Sequence, residues 1–521
     1  MEPSAQTPLK PPPRLAALVA ALIGVVAVAV ALAVGHLVAG FVGQSASPLL
    51  AVGNTAIDLT PLELKDFAVR TFGTYDKIVL LGGMAVVLLG AAVLAGLLSR
   101  RSPLPGSVLA GALGLLGVAA VLARPDSGQL SVLAPIASLV AGIAVFRWLH
   151  RTAFTARDVE APEGRRTFLI ALGATAVGAG LAGVAGQFLG NRIDVEGSRA
   201  AVGAIKPTTP APALPVGADF AAQGTPTFIT PNKDFYRVDT ALSVPRLRAE
   251  DWKLRVHGMV DRELTLDYED LRSRDLVERT VTMTCVSNEV GGPYVSTANF
   301  TGVLLRDVLL EAGVKAGADQ LFSTSSDGWT AGSPVDVIME AERGALLALG
   351  MNGEPLPVEH GFPVRMVVPG LYGYISATKW LVDLELTTFD AKQSYWIDRG
   401  WGRLGPIKLM SRIDAPKGLS RLTGGGGGRT TVSGVAWAQP KGVAKVEVRV
   451  DGGPWQDATL AADVNDSSWR MWKIDLDLPV GGHTVECRAT DKAGFVQPQE
   501  RVAPIPDGAT GWHSAFFTVE K

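Results

Sequence analysis

The sequence predicts three folded parts: an N-terminal α-helical membrane domain of about five spans over residues 1–190, an α+β domain over 226–416, and a C-terminal immunoglobulin-like β-sandwich over 417–521. A Pro/Ala-rich linker over 191–225 joins the first part to the second. Three observations carry this reading. The 521 residues are 47% hydrophobic and 19% charged, too apolar for a purely soluble enzyme, and the excess sits in the first 190. From Thr227 onward, short β-type runs alternate with turn residues and a few helices. Beyond residue 429 the pattern is β throughout.

Crossing a bilayer takes roughly 20 apolar residues. Five stretches qualify: 15–42, 78–98, 107–123, 130–146 and 167–189. Lys10, Arg14, Arg100, Arg101, Arg147, Arg151, Arg157, Arg165 and Arg166 fall on one side of these spans, which the positive-inside rule makes cytoplasmic. The opposite loops carry only Lys65, Arg70, Lys77 and Arg124, partly offset by Asp58, Glu63, Asp66 and Asp76. Five crossings from an inside start put everything after about residue 190 outside, in a multi-pass protein of the cytoplasmic membrane. Gly164-Arg165-Arg166-Thr167-Phe168-Leu169 resembles a twin-arginine export signal; the alternative is a pair of arginines flanking a helix. Gly178, Gly180 and Gly183 match a dinucleotide fingerprint, but inside an apolar span they read as small residues for helix packing. His36 lies toward the outer end of the first span and His150 at the inner end of the fourth, on opposite sides of the membrane, which suits interfacial packing better than paired haem ligation.

A net charge of -2 and no basic stripe exclude a nucleic-acid partner. Two cysteines, Cys285 and Cys487, are too few for a thiolate cluster, though enough for one disulfide. In the α+β part, strands are expected over 252–256, 279–283 and 364–368, and helices over 267–272 and 304–312. The five-glycine run at 424–428 has no strand–helix frame around it and reads as a flexible connection. In the sandwich, strands fall at 445–450, 469–476 and 483–489, and alternation puts Val485, Cys487 and Ala489 on one face, making Cys487 a buried structural thiol.

Cys285 ends a β run just where a Gly-containing loop begins, in Thr282-Met-Thr-Cys285-Val-Ser-Asn288-Glu-Val-Gly-Gly292. A thiol there suits a soft metal, nucleophilic catalysis with His257 or His360 as base, or simply a buried inert position. Thr230-Pro-Asn232-Lys-Asp-Phe235-Tyr236-Arg237, the Cys285 loop, the run from Met351-Asn-Gly through His360 and Arg365 to Gly370, and Ser376-Ala-Thr378-Lys379-Trp380 together resemble the pterin-domain motifs of the sulfite oxidase family. The tail from Val432 to His513 resembles that family's sandwich domain, which often mediates dimerisation. The likeness covers roughly 225–521 and leaves out the five spans.

The resemblance implies a sulfite-oxidase-type molybdopterin domain, with molybdenum held by a pterin dithiolene and by the Cys285 thiolate. It further implies that Arg365 and Lys379, with Ser376 and Thr378, hold the pterin's terminal phosphate. Asn232, Phe235, Tyr236, Arg237, Asn288, Thr324 and His360 correspond to the remaining cofactor-binding positions. The sequence also departs from the family: the metal-binding cysteine is usually followed by Asn-Arg-Arg, whereas here the chain reads Asn288-Glu289-Val290. Sulfite-oxidising members carry a tyrosine where this chain has Leu349. The reading is therefore an extracytoplasmic, membrane-anchored molybdenum oxidoreductase that moves an oxygen atom on a small S- or N-containing substrate other than sulfite. The alternatives are a sulfite dehydrogenase and a non-catalytic membrane-tethered assembly module. Two cysteines rule out a Cys-x-x-Cys-His haem site, so electrons pass to or from a redox partner or a quinone.

A reporter fused after Lys521 should work only if it is one that functions outside the cytoplasm. A cytoplasmic readout would contradict the span count. If the twin-arginine reading holds, Arg165→Lys with Arg166→Lys should retain the catalytic part inside.

Overall fold

The computed structural model describes residues 15–72, 75–124, 127–158, 162–422 and 428–520. Lys10, Arg14, Gly424 to Gly427 and Lys521 lie outside them. The chain divides into two compact units, 1–193 with 240–243, and 194–239 with 244–521.

The first unit is helical: α1 (Ala17–Val42), α2 (Pro48–Leu59), α3 (Leu62–Phe72), α4 (Asp76–Leu98), α5 (Leu104–Leu122), α6 (Leu133–Asp158) and α7 (Pro162–Gly190). Of these, α1, α4, α5, α6 and α7 are long and apolar enough to cross a membrane. The segment between the first two, expected as a loop, instead forms α2 and α3. α2 starts with Pro48 in its first turn, where a missing N–H costs nothing. α1 buries Ile23, Gly24 and Ala27 among the other helices. A methyl on Gly24 would stand 2.0 Å from the Ala92 carbonyl oxygen, and one on Gly96 2.0 Å from that of Ala20, so α1 and α4 cross at bare backbone. Gly186 brings α7 onto His36 and Leu37 of α1, and Gly190 packs against Gln44 just past the end of α1. Gly178, Gly180 and Gly183 have nothing within 4 Å of where a Cβ would be, which corrects the expectation that they mediate packing. His150 is buried with Nε2 2.7 Å from the Ser99 carbonyl, and its ring lies between Phe146 and Phe154.

The second unit opens with α8 (Val195–Val202), capped by the Asp194 carboxylate on the Gly197 N–H. The predicted free linker is thus partly helical and docked. Val195, Val202 and Ile205 are buried, and Thr208 donates its N–H to the Leu276 carbonyl. Burial of those apolar residues outweighs the Pro-rich composition around them.

The α+β domain carries β1 (Lys253–Gly258), β2 (Leu264–Asp267), β3 (Val277–Thr284), β4 (Val295–Leu304), β5 (Gln320–Ser325), β6 (Thr330–Pro334), β7 (Leu346–Met351), β8 (Glu354–Pro355), β9 (Arg365–Val367) and β10 (Leu381–Thr387). Its helices are α9 (Tyr268–Arg272), α10 (Leu305–Ala312), α11 (Val335–Met339) and α12 (Gly373–Ser376). One sheet has the order β2-β1-β10-β5-β6 and the other β3-β4-β7-β8, with β9 also paired to β7. α9 begins with a reciprocal capping box between Asp267 and Asp270.

The sandwich comprises β11 (Met410–Ala415), β12 (Arg421–Leu422), β13 (Gly428–Trp437), β14 (Val443–Val450), β15 (Gln456–Asp457), β16 (Thr459–Leu460), β17 (Arg470–Leu478), β18 (Gly481–Asp491) and β19 (His513–Val519). Its sheets run β11-β13-β17-β16 and β12-β19-β18-β14-β15. β11 pairs with β13, so the sandwich begins before the expected boundary at 417. Trp472, Phe517, Val446 and Cys487 fill its core.

Both cysteines are free thiols, and Val485, Cys487 and Ala489 are fully buried on one face of β18. Burial pushes the Cys487 thiol up to about 12. Cys487→Ser should lower unfolding stability by about 1–3 kcal/mol in urea titrations, because the buried hydroxyl gains little that the thiol lacked. Unfolded parent protein should titrate two thiols without reductant; none would expose a disulfide and remove Cys285 from any metal.

Candidate active site

β3 delivers Cys285 to the start of a closed loop. The Cys285 N–H donates to the Tyr294 carbonyl at 3.0 Å and its own carbonyl accepts from the Asn288 N–H at 3.1 Å. The Asn288 side-chain oxygen accepts the Tyr294 N–H at 2.8 Å. Gly291 turns the loop at φ +82, a conformation that favours glycine. Cys285 Sγ lies 2.9 Å from Ser287 Oγ, and burial pushes the thiol up. Such a thiol gives up its proton readily only to a cation that takes its place. No histidine sits on it: His257 pairs with Asp383 at 3.0 Å, and His360 Nε2 faces the Asn232 carbonyl at 3.2 Å. That removes the cysteine-nucleophile reading.

Tyr236 stands beside this loop, its N–H donated to Ser296 Oγ. Burial, and then the neighbouring Cys285 charge, push its phenol well above the usual range, so it keeps its proton. A methyl on Gly373 would stand 3.8 Å from the Tyr236 hydroxyl oxygen and 3.9 Å from the Thr284 carbonyl, so the start of α12 leaves a gap there that a side chain would narrow.

Arg365 is only 4% exposed. One nitrogen donates to the His360 carbonyl at 3.1 Å, Nε has no partner, and the Phe300 ring lies 5.6 Å below. Among the described residues no carboxylate pairs with it. Burial lowers it to about 10, an unusual value for a guanidinium. Lys379 lies near by, lowered to about 8 by burial although Asp239 pairs with it at 2.7 Å. The same Asp239 oxygen takes Arg237 at 2.8 Å. An unpartnered buried cation with a second one close to it is a site for an anion of phosphate type.

His360 is depressed to about 3, first by burial and then by Arg365 and Lys379, so it is neutral at pH 7. Because Nε2 faces a carbonyl, it carries the proton, and Nδ1 is left as an acceptor for a ligand N–H. Phe235 packs edge-on to His360 and stacks on Tyr236, fixing both rings. The Asn288 amide nitrogen is buried without a partner, a second spare donor.

Several expected residues are used elsewhere. Ser376 Oγ donates to the carbonyls of Leu371 and Tyr372, and Thr378 Oγ1 shares a hydrogen bond with Ser323. The Asn232 amide is committed to Met351, Glu354 and Asn352, so it braces the β7–β8 turn. Thr324 alternates with Ser323 along β5 and lies on the opposite face from the hydroxyl that reaches Thr378. Sequence reasoning missed Ser323 and Asp239; an acid two residues past Arg237 was the available sign of the latter.

The set fits a molybdenum cofactor: a thiol for a soft metal, a buried cation pair for a phosphate, and neutral donors and acceptors for a pterin edge. Comparison with known proteins agrees. The family described as "Oxidoreductase molybdopterin binding domain" matches residues 241–396, and "Mo-co oxidoreductase dimerisation domain" matches 407–518. Sulfite oxidase of Gallus gallus is 31% identical over 338 residues, covering 55% of this chain and 72% of that protein. The chain belongs to the sulfite oxidase family. The mitochondrial sulfite oxidase of Homo sapiens is 31% identical over 329 residues, 54% of this chain, and the chain spans only 59% of that relative's length. An uncharacterized oxidoreductase of Bacillus subtilis, YuiH, is 36% identical over 154 residues, 30% of this chain and 74% of that one. The family's molybdopterin domain thus contains Cys285, His360, Arg365 and Lys379, while Asn232 to Arg237 lie just ahead of the matched segment.

Arg365→Met should reduce the pterin retained after gel filtration at least about tenfold, and Arg365→Lys should fall between, because charge survives but the fork does not. Full loading of Arg365→Met would contradict the anion assignment.

Proposed function

We propose that this chain is a membrane-anchored molybdenum oxidoreductase that reduces a neutral or zwitterionic S- or N-oxide, a sulfoxide for example, outside the cytoplasmic membrane. The observation that carries the substrate class is Asn288-Glu289-Val290 beside Cys285. An acid and an apolar residue occupy the positions where sulfite-handling relatives bear arginines. A sulfite dianion needs paired cations, and a carboxylate near by opposes it. Leu349, fully buried in β7, is apolar at the position where the family resemblance leads to a tyrosine for sulfite. Arg237, which might otherwise serve an anionic substrate, is held by Asp239.

Bound here, the cofactor supplies two-electron oxygen-atom chemistry. Cys285 provides the protein thiolate, Arg365 and Lys379 hold the phosphate, and His360 Nδ1 accepts from the pterin edge. Tyr236 keeps its proton and offers an O–H to a substrate oxygen. Sulfoxide reduction takes up two electrons and two protons and releases water, so an external donor is required, either a redox partner or a quinone reached from the membrane. The five apolar helices support anchoring, and the arginine distribution supports an outer catalytic part. The match to a dimerisation domain supports a homodimer. A sulfite dehydrogenase is the second reading, favoured by the vertebrate relatives.

The test is steady-state turnover of purified protein with sulfoxides and a reduced viologen, beside sulfite and an artificial acceptor. Sulfoxide reduction should dominate, and Cys285→Ser should abolish it while pterin stays bound. Sulfite oxidation on the order of 10 per second would overturn the substrate assignment.

A further inference from the structure

β3, the strand that leads into Cys285, lies at the edge of its sheet. Edge strands present unpaired backbone groups and are prone to fray or slip. This one is covered. Ahead of the sandwich contacts, the Glu278 N–H donates to the Thr209 carbonyl at 2.8 Å. Toward Cys285, among the described residues, its outer edge is covered by the sandwich. The Asn465 amide donates to the Thr280 carbonyl at 3.1 Å, the Thr282 N–H donates to the Ser467 carbonyl at 2.9 Å, and the Gln439 amide donates to the Thr282 carbonyl at 3.0 Å. The Trp469 N–H adds a bond to Thr282 Oγ1 at 2.7 Å.

The loop beyond Cys285 is held in the same way. Arg412 of β11 donates to the Gly292 carbonyl at 2.9 Å and is itself fixed by a buried ion pair with Asp414 at 2.9 Å. The His513 ring lies close enough to Gly291 that a methyl there would come within 2.3 Å of Nε2. Its Nδ1 accepts the Ile413 N–H at 2.9 Å, which sets the ring's orientation from within the sandwich. So Cys285 sits between two anchored points, Thr282 before it and Gly291–Gly292 after it, and both anchors belong to another domain.

We propose that the β-sandwich is the positioning element for the Cys285 thiolate, so that the metal site is incomplete without Gln439, Asn465, Arg412 and His513. A ligand must be held within a fraction of an ångström to keep its bond geometry, and a lone edge strand followed by a ten-residue excursion does not provide that. The side chains do not touch the reacting atoms; they act through Thr282 and Gly292. The consequence for the metal rests on the reading of Cys285 as its ligand. The consequence for the backbone does not.

The experiment uses full-length, cofactor-loaded protein and three variants. Gln439→Met with Asn465→Leu removes two donors to β3. Arg412→Lys keeps the pair with Asp414 and loses the fork. Val446→Ala, in the sandwich core and away from β3, destabilises the same domain without touching the strand. Amide exchange is followed at Cys285 and Asn288, together with the paramagnetic resonance of the one-electron-reduced metal. The first two variants should exchange at these amides about tenfold faster, as loss of hydrogen bonds releases the loop, and should shift the resonance. Val446→Ala should leave both as in the parent at equal or greater loss of thermal stability. Unchanged exchange in the first two, or equal changes in Val446→Ala, would overturn the proposal. Should the double variant not fold, Gln439→Met alone carries the same expectation. A parent without metal would sink the ligand reading, and the exchange arm would still decide this one.

Discussion

A guanidinium buried without a carboxylate is the constraint on which the second unit depends. Taking an ion out of water costs several kcal/mol even after relaxation. Arg365 recovers only part of that, from one carbonyl and the face of Phe300. Its depressed value near 10 expresses the shortfall. An anion at the unpartnered Nε closes it. Anything that binds the folded state alone also stabilises it, so cofactor and fold are thermodynamically linked here. Burial acts on the neighbouring groups too, with the Arg365 charge adding to it: Lys379 falls toward 8 and His360 becomes a neutral acceptor.

The Cys285 end of the site is built on the opposite principle. Around Cys285 the thiol is held up by burial and the phenol of Tyr236 keeps its proton, so neither carries charge. Backbone does the positioning, through the closed 285–294 loop and the covered edge of β3. One end of the candidate site therefore carries fixed positive charge and the other is a neutral, hydrogen-bonded frame. A cavity of about 750 Å³ lies beyond that loop, between the α+β domain and the sandwich, with Pro226, Gly291, Lys417 and Phe516 on its walls. It is separate from the Arg365 cluster.

Much of this was legible in the sequence. Hydropathy placed all five long helices, and alternation placed β14, β17 and β18 and put Cys487 inward. Period and composition are local properties, and they reported local outcomes. What failed was partnership across the chain. Nothing in the linker's prolines revealed that Ile205 and Val202 would find apolar cover. Ser376 and Thr378 were expected as hydroxyl donors and Asn232 as a pterin contact, but Ser376 donates to Leu371, Thr378 shares a hydrogen bond with Ser323, and the Asn232 amide donates to Met351 and Glu354, the last two partnerships linking residues far apart in the chain. Which face of β5 Thr324 takes, opposite to that of Ser323, is set by register with Asp383 and Thr330. Likewise, the close-packed glycines of α7 among the described residues are Gly186, against His36 and Leu37 of α1, and Gly190, against Gln44 just beyond α1.

The account turns on whether this arrangement of one thiol, one unpaired guanidinium and one neutral imidazole holds a molybdenum cofactor. The direct measurement is metal analysis together with pterin release on purified, detergent-solubilised protein. It should find about one molybdenum and one pterin per folded chain, in line with a single thiolate ligand. Folded, monodisperse protein with neither would contradict the account.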